Sequence, residues 1–315
     1  MAIRPDPLSA AAVVAGFLAA SWVAAARADE VLKIEHQGVT REAILYAPAG
    51  LASAPAPLIV ALQGLGETTE ELKKWLRLDA AADRAGFRVL YPEAINHSWS
   101  YGRPINQPMP VVGGQTVDDV GLIRRLIDQM IERKIADPRR IYVTGPSRGG
   151  LMAFTLACAL ADRVAAAAPL ITGMTEYQRE DCKPVRVMPI MVVAGTADNS
   201  QSFGGGQGLV GRLLSVPETM SYWSRLHDCT GRTTHALPHR NADDQTRVTL
   251  IDWTGCHAGG QVRLYRVEGG GHQIPSFATD SSEEGVKRFG LRNRDIETAD
   301  EIWTFFRGGA KDVSP

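Results

Sequence analysis

A strand, a glycine-flanked serine and a helix follow one another near the middle of the chain, and this succession constrains the fold most. Residues 141–144 read Ile-Tyr-Val-Thr, residues 145–149 read Gly-Pro-Ser-Arg-Gly, and residues 149–161 have a helical composition. A serine on so sharp a turn needs glycine at two neighbouring positions, because a Cβ there would collide with the surrounding backbone. The pattern predicts that Ser147 stands above a sheet, at a helix N-terminus that favours negative charge.

Strand-like and helix-like stretches alternate along the chain. Short, continuously apolar runs such as residues 57–62 are typical of strands that are buried on both faces of a parallel sheet. The predicted strands are 30–36, 41–47, 57–62, 87–91, 140–144, 164–171, 188–194, 232–237, 246–253 and 262–267, and the predicted helices are 69–85, 117–134, 149–161, 219–227 and 299–306. The alternation predicts the α/β class, as one domain with a mostly parallel sheet and helices on both faces.

A serine hydroxyl needs a base to become a nucleophile, and the base needs a group that orients it. Of the seven histidines, only His272 follows a strong strand, 262–267, after three consecutive glycines. Asp198 follows the strand 188–194, and Ser147, Asp198 and His272 then occur in a chain order known for such triads. Because ligands bind outside the carboxyl ends of such strands, we expect the three to meet there. The alternative to a catalytic role is that Asp198 caps a turn and that His272 is a surface residue.

Two backbone N–H groups are predicted to stabilise a developing oxyanion. One is that of Arg148, the residue after the serine. The other is that of Leu65, since residues 63–66 (Gln-Gly-Leu-Gly) follow the strand 57–62, whose loop supplies the second donor in this arrangement.

The first 28 residues differ from the rest. Arg4 precedes an almost wholly apolar stretch, residues 8–26, and Ala26-Arg27-Ala28 provides small residues where a signal peptidase cleaves. We expect a signal peptide at 1–28 and a catalytic domain at 29–315, secreted or periplasmic and without stable membrane association. An uncleaved anchor is the alternative, because about twenty apolar residues can span a bilayer.

The four cysteines lie in the exported part, and export permits disulfides with three pairings. Cys229 and Cys256 flank a predicted hairpin whose two ends return to the same place. Cys158 lies about three turns down the helix after Ser147, and Cys182 precedes a strand that begins at the same end of the sheet. The predicted pairs are therefore Cys229–Cys256 and Cys158–Cys182.

Other patterns exclude some classes of function. The formal net charge is −1 and the charges are spread along the chain, so nucleic acid is not an expected partner. Gly206-Gln-Gly-Leu-Val-Gly211 matches G-x-G-x-x-G but does not directly follow a strand, so a flexible loop is expected there. The cysteine spacing does not suit zinc, and Asp118 and Asp119 are expected to start a helix. No cofactor or metal is therefore expected.

Several motifs together resemble those of the secreted polyhydroxybutyrate depolymerase and feruloyl esterase family. They are Pro-Leu-Ile-Val-Ala-Leu-Gln-Gly at 57–64, Val-Asp-Asp-Val-Gly at 117–121, Ile-Tyr-Val-Thr-Gly-Pro-Ser-Arg-Gly-Gly at 141–150, Gly-Thr-Ala-Asp at 195–198 and Glu-Gly-Gly-Gly-His at 268–272. The resemblance implies an α/β-hydrolase fold, carboxylic ester hydrolysis through an acyl-enzyme, and the triad named above. The placement of both cysteine pairs is also similar to the family's disulfides.

The chain departs from the family pattern at three positions. Gln63 replaces the usual His, Pro146 replaces a larger apolar residue, and Arg148 replaces a small or amide residue. Arg148 is expected to place a cation at the pocket mouth, which would favour a carboxylate-bearing substrate. Gln63 and two aromatic residues of a nearby loop, Trp99 and Tyr101, are predicted to contact the substrate.

Small or oligomeric esters are the expected substrates, either hydroxyalkanoate oligomers or phenolic esters, and no separate polymer-binding domain is expected. A serine peptidase or an acyltransferase is the alternative, because the same triad serves several acyl-transfer reactions. A second alternative is a non-catalytic binding protein with the same fold.

Overall fold

The computed structural model of the protein describes Met1 and residues 29–51, 53–101, 110–208 and 211–309. Residues 2–28 of the predicted signal peptide lie outside this part. The strands are β1 (Glu30–His36), β2 (Val39–Tyr46), β3 (Ala56–Ala61), β4 (Arg88–Pro92), β5 (Val111–Val112), β6 (Gln115–Thr116), β7 (Ala136–Pro146), β8 (Ala166–Leu170), β9 (Ile190–Gly195), β10 (Gly206–Gly208), β11 (Gly211–Leu213), β12 (Gly231–Ala236), β13 (Arg247–Thr254) and β14 (Val262–Glu268). The helices are α1 (Thr69–Leu76), α2 (Leu78–Ala85), α3 (Asp119–Glu132), α4 (Arg148–Ala159), α5 (Glu176–Asp181), α6 (Val216–Leu226), α7 (Glu283–Phe289) and α8 (Thr298–Gly309).

Ten of the strands form one sheet in the order β1-β2-β4-β3-β7-β8-β9-β14-β13-β12. The six central strands, β4 to β14 in this order, pair in parallel. The strands at either margin pair antiparallel. The predicted mostly parallel sheet is confirmed, and the carboxyl ends of its central strands lie along one edge.

The apolar core lies on both faces of this sheet. Every residue of β3 and of β9 is buried, which explains why these strands are continuously apolar rather than alternating. One cluster of buried side chains packs α3, α4 and α6 on one face. A second cluster packs α1, α2 and α8 on the other.

Two helix predictions differ from the structure in detail. The predicted helix 69–85 is two helices, because Arg77 adopts a left-handed conformation (φ 55°) that ends α1 and begins α2. The N-cap of α1 is Thr68, which forms a capping box with Glu71. At α3, Asp118 is the N-cap as expected, whereas Asp119 is buried and pairs with Arg41 at 2.9 Å.

The two predicted disulfides, Cys158–Cys182 and Cys229–Cys256, are both present. In the glycine-rich motif, residues 206–208 form β10 and Gly211 begins β11, and the two strands pair antiparallel. Within the described ranges, no helix combines the length and apolarity needed to cross a membrane.

Candidate active site

Ser147 lies between the end of β7 and the first turn of α4, with φ 53° and ψ −117°. A non-glycine residue in this region is strained, and such strain persists only where the surrounding structure enforces it. The enforcement comes from close backbone packing: a Cβ on Gly145 would lie 2.3 Å from the Leu62 carbonyl oxygen, and one on Gly149 would lie 2.1 Å from it. The glycine requirement predicted from the sequence is therefore confirmed.

The predicted acid and base meet although they are 74 residues apart in sequence. Asp198 Oδ2 lies 2.7 Å from His272 Nδ1, and both side chains are at most 10% exposed. The other oxygen of Asp198 accepts hydrogen bonds from the backbone N–H groups of Ser200 and Gln201, each at 2.8 Å. The carboxylate is therefore fixed, and it favours the tautomer of His272 that carries a proton on Nδ1.

The loop that carries His272 is held by its backbone. β14 is the parallel neighbour of β9, so the segments that carry His272 and Asp198 leave the sheet side by side. His272 N–H donates to the Phe289 carbonyl at 2.6 Å. A Cβ on Gly271 would lie 2.0 Å from that same oxygen, so the glycines before His272 permit close packing against the end of α7.

The loop after β3 lies against the nucleophile. A Cβ on Gly64 would be 3.9 Å from Ser147 Cβ. Gly64 N–H is already occupied, because it donates to Glu67 Oε2 at 2.7 Å. Leu65 is 51% exposed and lines the same cavity as Ser147, which leaves its N–H as the candidate second oxyanion donor beside that of Arg148.

Glu67 is a titratable group of the site that the sequence did not reveal. Its largely buried carboxyl lines the cavity, and desolvation raises its pKa from 4.5 to about 7. The hydrogen bond from Gly64 and the nearby His272 oppose this rise, whereas the Glu71 carboxylate adds to it. A carboxyl three residues after a glycine in the loop following β3 is the only sequence signal that could have indicated it.

Ser147 and His272, both in the described part of the chain, line one cavity of about 460 Å³ without a direct hydrogen bond between them. The volume is that of a site for a small molecule. Its walls come from the loop after β3, from α1, from the turns at Ser147 and His272, and from residues 281–292. The lining residues are Gly64, Leu65, Gly66, Glu67, Glu71, Trp75, Pro146, Ser147, Ile171, His272, Gln273, Ile274, Ser281, Ser282, Glu284, Gly285, Arg288, Phe289 and Arg292.

The structure corrects the predicted role of three residues. Gln63 is buried, and its Nε2 donates to the Glu67 carbonyl at 2.6 Å. Trp99 is wholly buried, and its Nε1 donates to the Gln63 carbonyl at 3.0 Å. Tyr101 is also buried. None of the three lines the cavity; Gln63 and Trp99 support the loop after β3 from behind.

The cation expected at the pocket mouth is also elsewhere. Arg148 is only 4% exposed, donates to Ser98 Oγ and lies over the Tyr101 ring, with Cζ 5.3 Å from its centroid. These contacts turn the Arg148 side chain away from the cavity and toward residues 98–101. The arginines of the cavity are Arg288 and Arg292, at positions for which the sequence offered no signal.

The sheet has ten strands and is parallel at its centre. A serine, an aspartate and a histidine lie beyond the carboxyl ends of β7, β9 and β14. This arrangement defines an α/β-hydrolase fold. The sequence profile of the family described as Esterase PHB depolymerase matches residues 42–203, just over half of the chain. The chain belongs to this family and is a carboxylic ester hydrolase.

Relatives extend this likeness beyond the matched range. The putative esterase NocK of Nocardia uniformis subsp. tsuyamanensis is 28% identical over 286 residues, which are 86% of this chain and 80% of that protein. Feruloyl esterase B of Piromyces equi is 27% identical over 74% of this chain, but the match spans only 42% of its own length. Poly(3-hydroxyalkanoate) depolymerase C of Paucimonas lemoignei is 33% identical over 41% of this chain and 30% of its own.

Solved structures agree at the level of the fold. An acetyl xylan esterase from Aspergillus awamori has a TM-score of 0.59 at 14% identity and covers 89% of this chain and 99% of its own. A putative dipeptidyl aminopeptidase IV from Bacteroides ovatus has a TM-score of 0.55 at 11% identity, over 89% of this chain and 36% of its own. The fold is therefore shared with an esterase and with a presumed peptidase, and does not separate the two activities.

Proposed function

We propose that the protein hydrolyses carboxylic esters through an acyl-enzyme formed on Ser147. His272 takes the proton of the Ser147 hydroxyl as the oxygen attacks the ester carbonyl, and Asp198 stabilises the imidazolium. The N–H groups of Arg148 and Leu65 hold the oxyanion while the alcohol leaves with a proton from His272. A water molecule, activated by His272, then releases the acid and restores Ser147.

The Asp198–His272 contact of 2.7 Å is the observation that carries this proposal, because His272 lines the same cavity as a serine on a strained turn. The Asp198 carboxylate is buried and fixed by two further backbone hydrogen bonds, as the group that orients a catalytic histidine must be. Likewise, Ser147 has positive φ on a turn packed against the Leu62 carbonyl, as the nucleophile of such a site does.

We propose hydroxyalkanoate oligomers or phenolic esters as the substrate class. The family membership and the names of the relatives support this, since they include feruloyl esterases and a poly(3-hydroxyalkanoate) depolymerase. A cavity of about 460 Å³ suits a single ester or a short oligomer rather than a polymer surface. The two disulfides and the pattern of residues 1–28 support export of the protein.

The test is a panel of p-nitrophenyl acetate, p-nitrophenyl butyrate, methyl ferulate and a 3-hydroxybutyrate oligomer, assayed with the wild type and with Ser147→Ala. The wild type is expected to hydrolyse at least one ester and to be labelled by a fluorophosphonate, and the variant is expected to lose both properties. A p-nitroanilide analogue of the best acyl group separates the esterase from a peptidase. Ester hydrolysis that survives in Ser147→Ala would refute the assigned nucleophile.

A further inference from the structure

One cation of the cavity has no task in the proposed chemistry. Arg292 lines the cavity with Ser147 and His272. Its Nε donates to Gln273 Oε1 and to Ser281 Oγ, each at 3.1 Å. One face of the guanidinium lies over the ring of Trp75, with Cζ 5.1 Å from the centroid. Neutral groups therefore hold the guanidinium in place: Gln273 and Ser281 at one edge, and Trp75 at one face.

Among the residues that the structure describes, no carboxylate forms an ion pair with Arg292. Its Nη1 is buried without a hydrogen-bond partner. Burial lowers the pKa of Arg292, and Glu297 and Asp280 oppose this effect only from a distance. Leaving a desolvated cation unpaired costs free energy, and an anion that binds to it recovers part of that cost.

The acidic residues of the cavity do not serve as its partners. The Glu71 carboxylate accepts the N–H and the hydroxyl of Thr68 in the capping box of α1. The Glu67 carboxyl accepts Gly64 N–H and, with a pKa of about 7, is largely protonated in mildly acidic solution. Glu284 is exposed on α7, outside the buried network around Arg292. None of these three carboxyls is therefore paired with Arg292.

We propose that Arg292 binds a carboxylate of the substrate, so that the protein prefers esters whose acyl or alcohol part carries a free carboxylate. The inference rests on the proposed function and narrows its substrate class. A guanidinium suits this task because it presents several N–H donors in a fixed plane that matches the two oxygens of a carboxylate. A short hydroxyalkanoate oligomer has such a group at its end, whereas a methyl ester of a phenolic acid does not.

The test compares two substrates that share the hydrolysed bond: the linear dimer of 3-hydroxybutyrate and its primary amide. In the wild type we expect kcat/KM to be higher for the acid by about 10-fold or more, the range for a hydrogen bond to a charged group. Arg292→Gln should abolish the difference by raising KM for the acid more than KM for the amide. Arg294→Gln is the matched control, because the Arg294 side chain is 41% exposed and pairs with Asp280 at 3.0 Å.

A binding measurement separates this inference from the proposed function. Calorimetry with Ser147→Ala gives the Kd of the intact acid and of the amide whether or not the protein is an esterase, and Arg292→Lys shows whether charge alone suffices. A preference for the acid that is lost in Ser147→Ala/Arg292→Gln supports the inference. Equal affinities for acid and amide, or an equal loss of both in Arg292→Gln, would overturn it. A retained preference in a protein that hydrolyses no ester would contradict only the proposed function.

Discussion

Replacing Glu67 by glutamine tests the electrostatics of the cavity through the stability of the whole protein. The folded structure raises the pKa of Glu67 from 4.5 to about 7, so it favours the protonated carboxyl. As pH rises above 4.5, the unfolded chain loses this proton first, and the contribution of Glu67 to the free energy of unfolding falls until about pH 7. Above that pH the penalty stays constant.

The size of this penalty follows from the pKa. At roughly 1.36 kcal/mol for each pH unit, a rise from 4.5 to about 7 corresponds to about 3 kcal/mol, or ~2–3 kcal/mol after allowance for the part of the side chain that water still reaches. Glu67→Gln removes the ionisation but keeps the shape of the side chain and an oxygen for Gly64 N–H. The variant should therefore gain ~2–3 kcal/mol relative to the wild type between pH 4 and pH 8.

The assay is urea denaturation of the wild type, Glu67→Gln and Glu70→Gln at several pH values, with m compared so that only changes in stability are interpreted. Glu70 is the matched control, since it is an exposed glutamate on α1; we expect its difference from the wild type to stay within about 0.5 kcal/mol. A difference between Glu67→Gln and wild type that does not change with pH would refute the reasoning, because it would mean that the folded state does not resist ionisation of this carboxyl.

Three further predictions concern the turn, the triad and the disulfides. Asp198→Asn should lower kcat by ~10⁴-fold with little loss of stability, because it removes the acceptor that fixes the His272 tautomer; steady-state kinetics and a thermal melt check both parts. Gly149→Ala should destabilise the fold by about 1–3 kcal/mol or more and abolish hydrolysis, since its Cβ would lie 2.1 Å from the Leu62 carbonyl oxygen. The control is Gly308→Ala, whose Cβ would meet nothing within 4 Å, and which should be neutral or slightly stabilising. Denaturant titrations measure both effects. Cys158→Ser/Cys182→Ser should lower the free energy of unfolding by ~2–4 kcal/mol, and an unchanged denaturation midpoint would contradict this.

The features that the sequence revealed depend on local geometry or on strand order. The glycines around Ser147 were readable because a strained turn against the Leu62 carbonyl admits no Cβ at either position. Asp198 and His272 were readable because each follows a strand, and parallel strands bring their carboxyl ends to one edge. The same reasoning gave the two disulfides, since strand and helix directions alone decide which cysteines share an end of the sheet.

The features that the sequence did not reveal depend on where a side chain points. Trp99 and Tyr101 belong to a loop near the site, yet both turn inward, and Trp99 donates to the backbone of the loop after β3. Arg77 interrupts a stretch whose composition is helical throughout. Its left-handed backbone conformation could not be predicted, because arginine has no preference for that conformation. Arg292 and Trp75 are in contact although more than two hundred residues separate them in the sequence, and no local sequence pattern predicts a contact of this kind.

We expect the turn at Ser147 and the loop of His272 to perform the chemistry and the wall at residues 281–292 to select the substrate. The turn at Ser147 is packed so closely that its unusual neighbour, Arg148, is only 4% exposed and does not line the cavity. Residues 281–292 form the opposite wall, and they are bound to the base by two backbone hydrogen bonds, from His272 to Phe289 and from Gly271 to Leu291. A substitution in this wall that shifts its backbone must therefore also move His272. We therefore expect that substitution of a side chain such as Arg292 changes the substrate preference and leaves kcat intact. We expect that an insertion or a deletion within residues 281–292 lowers kcat.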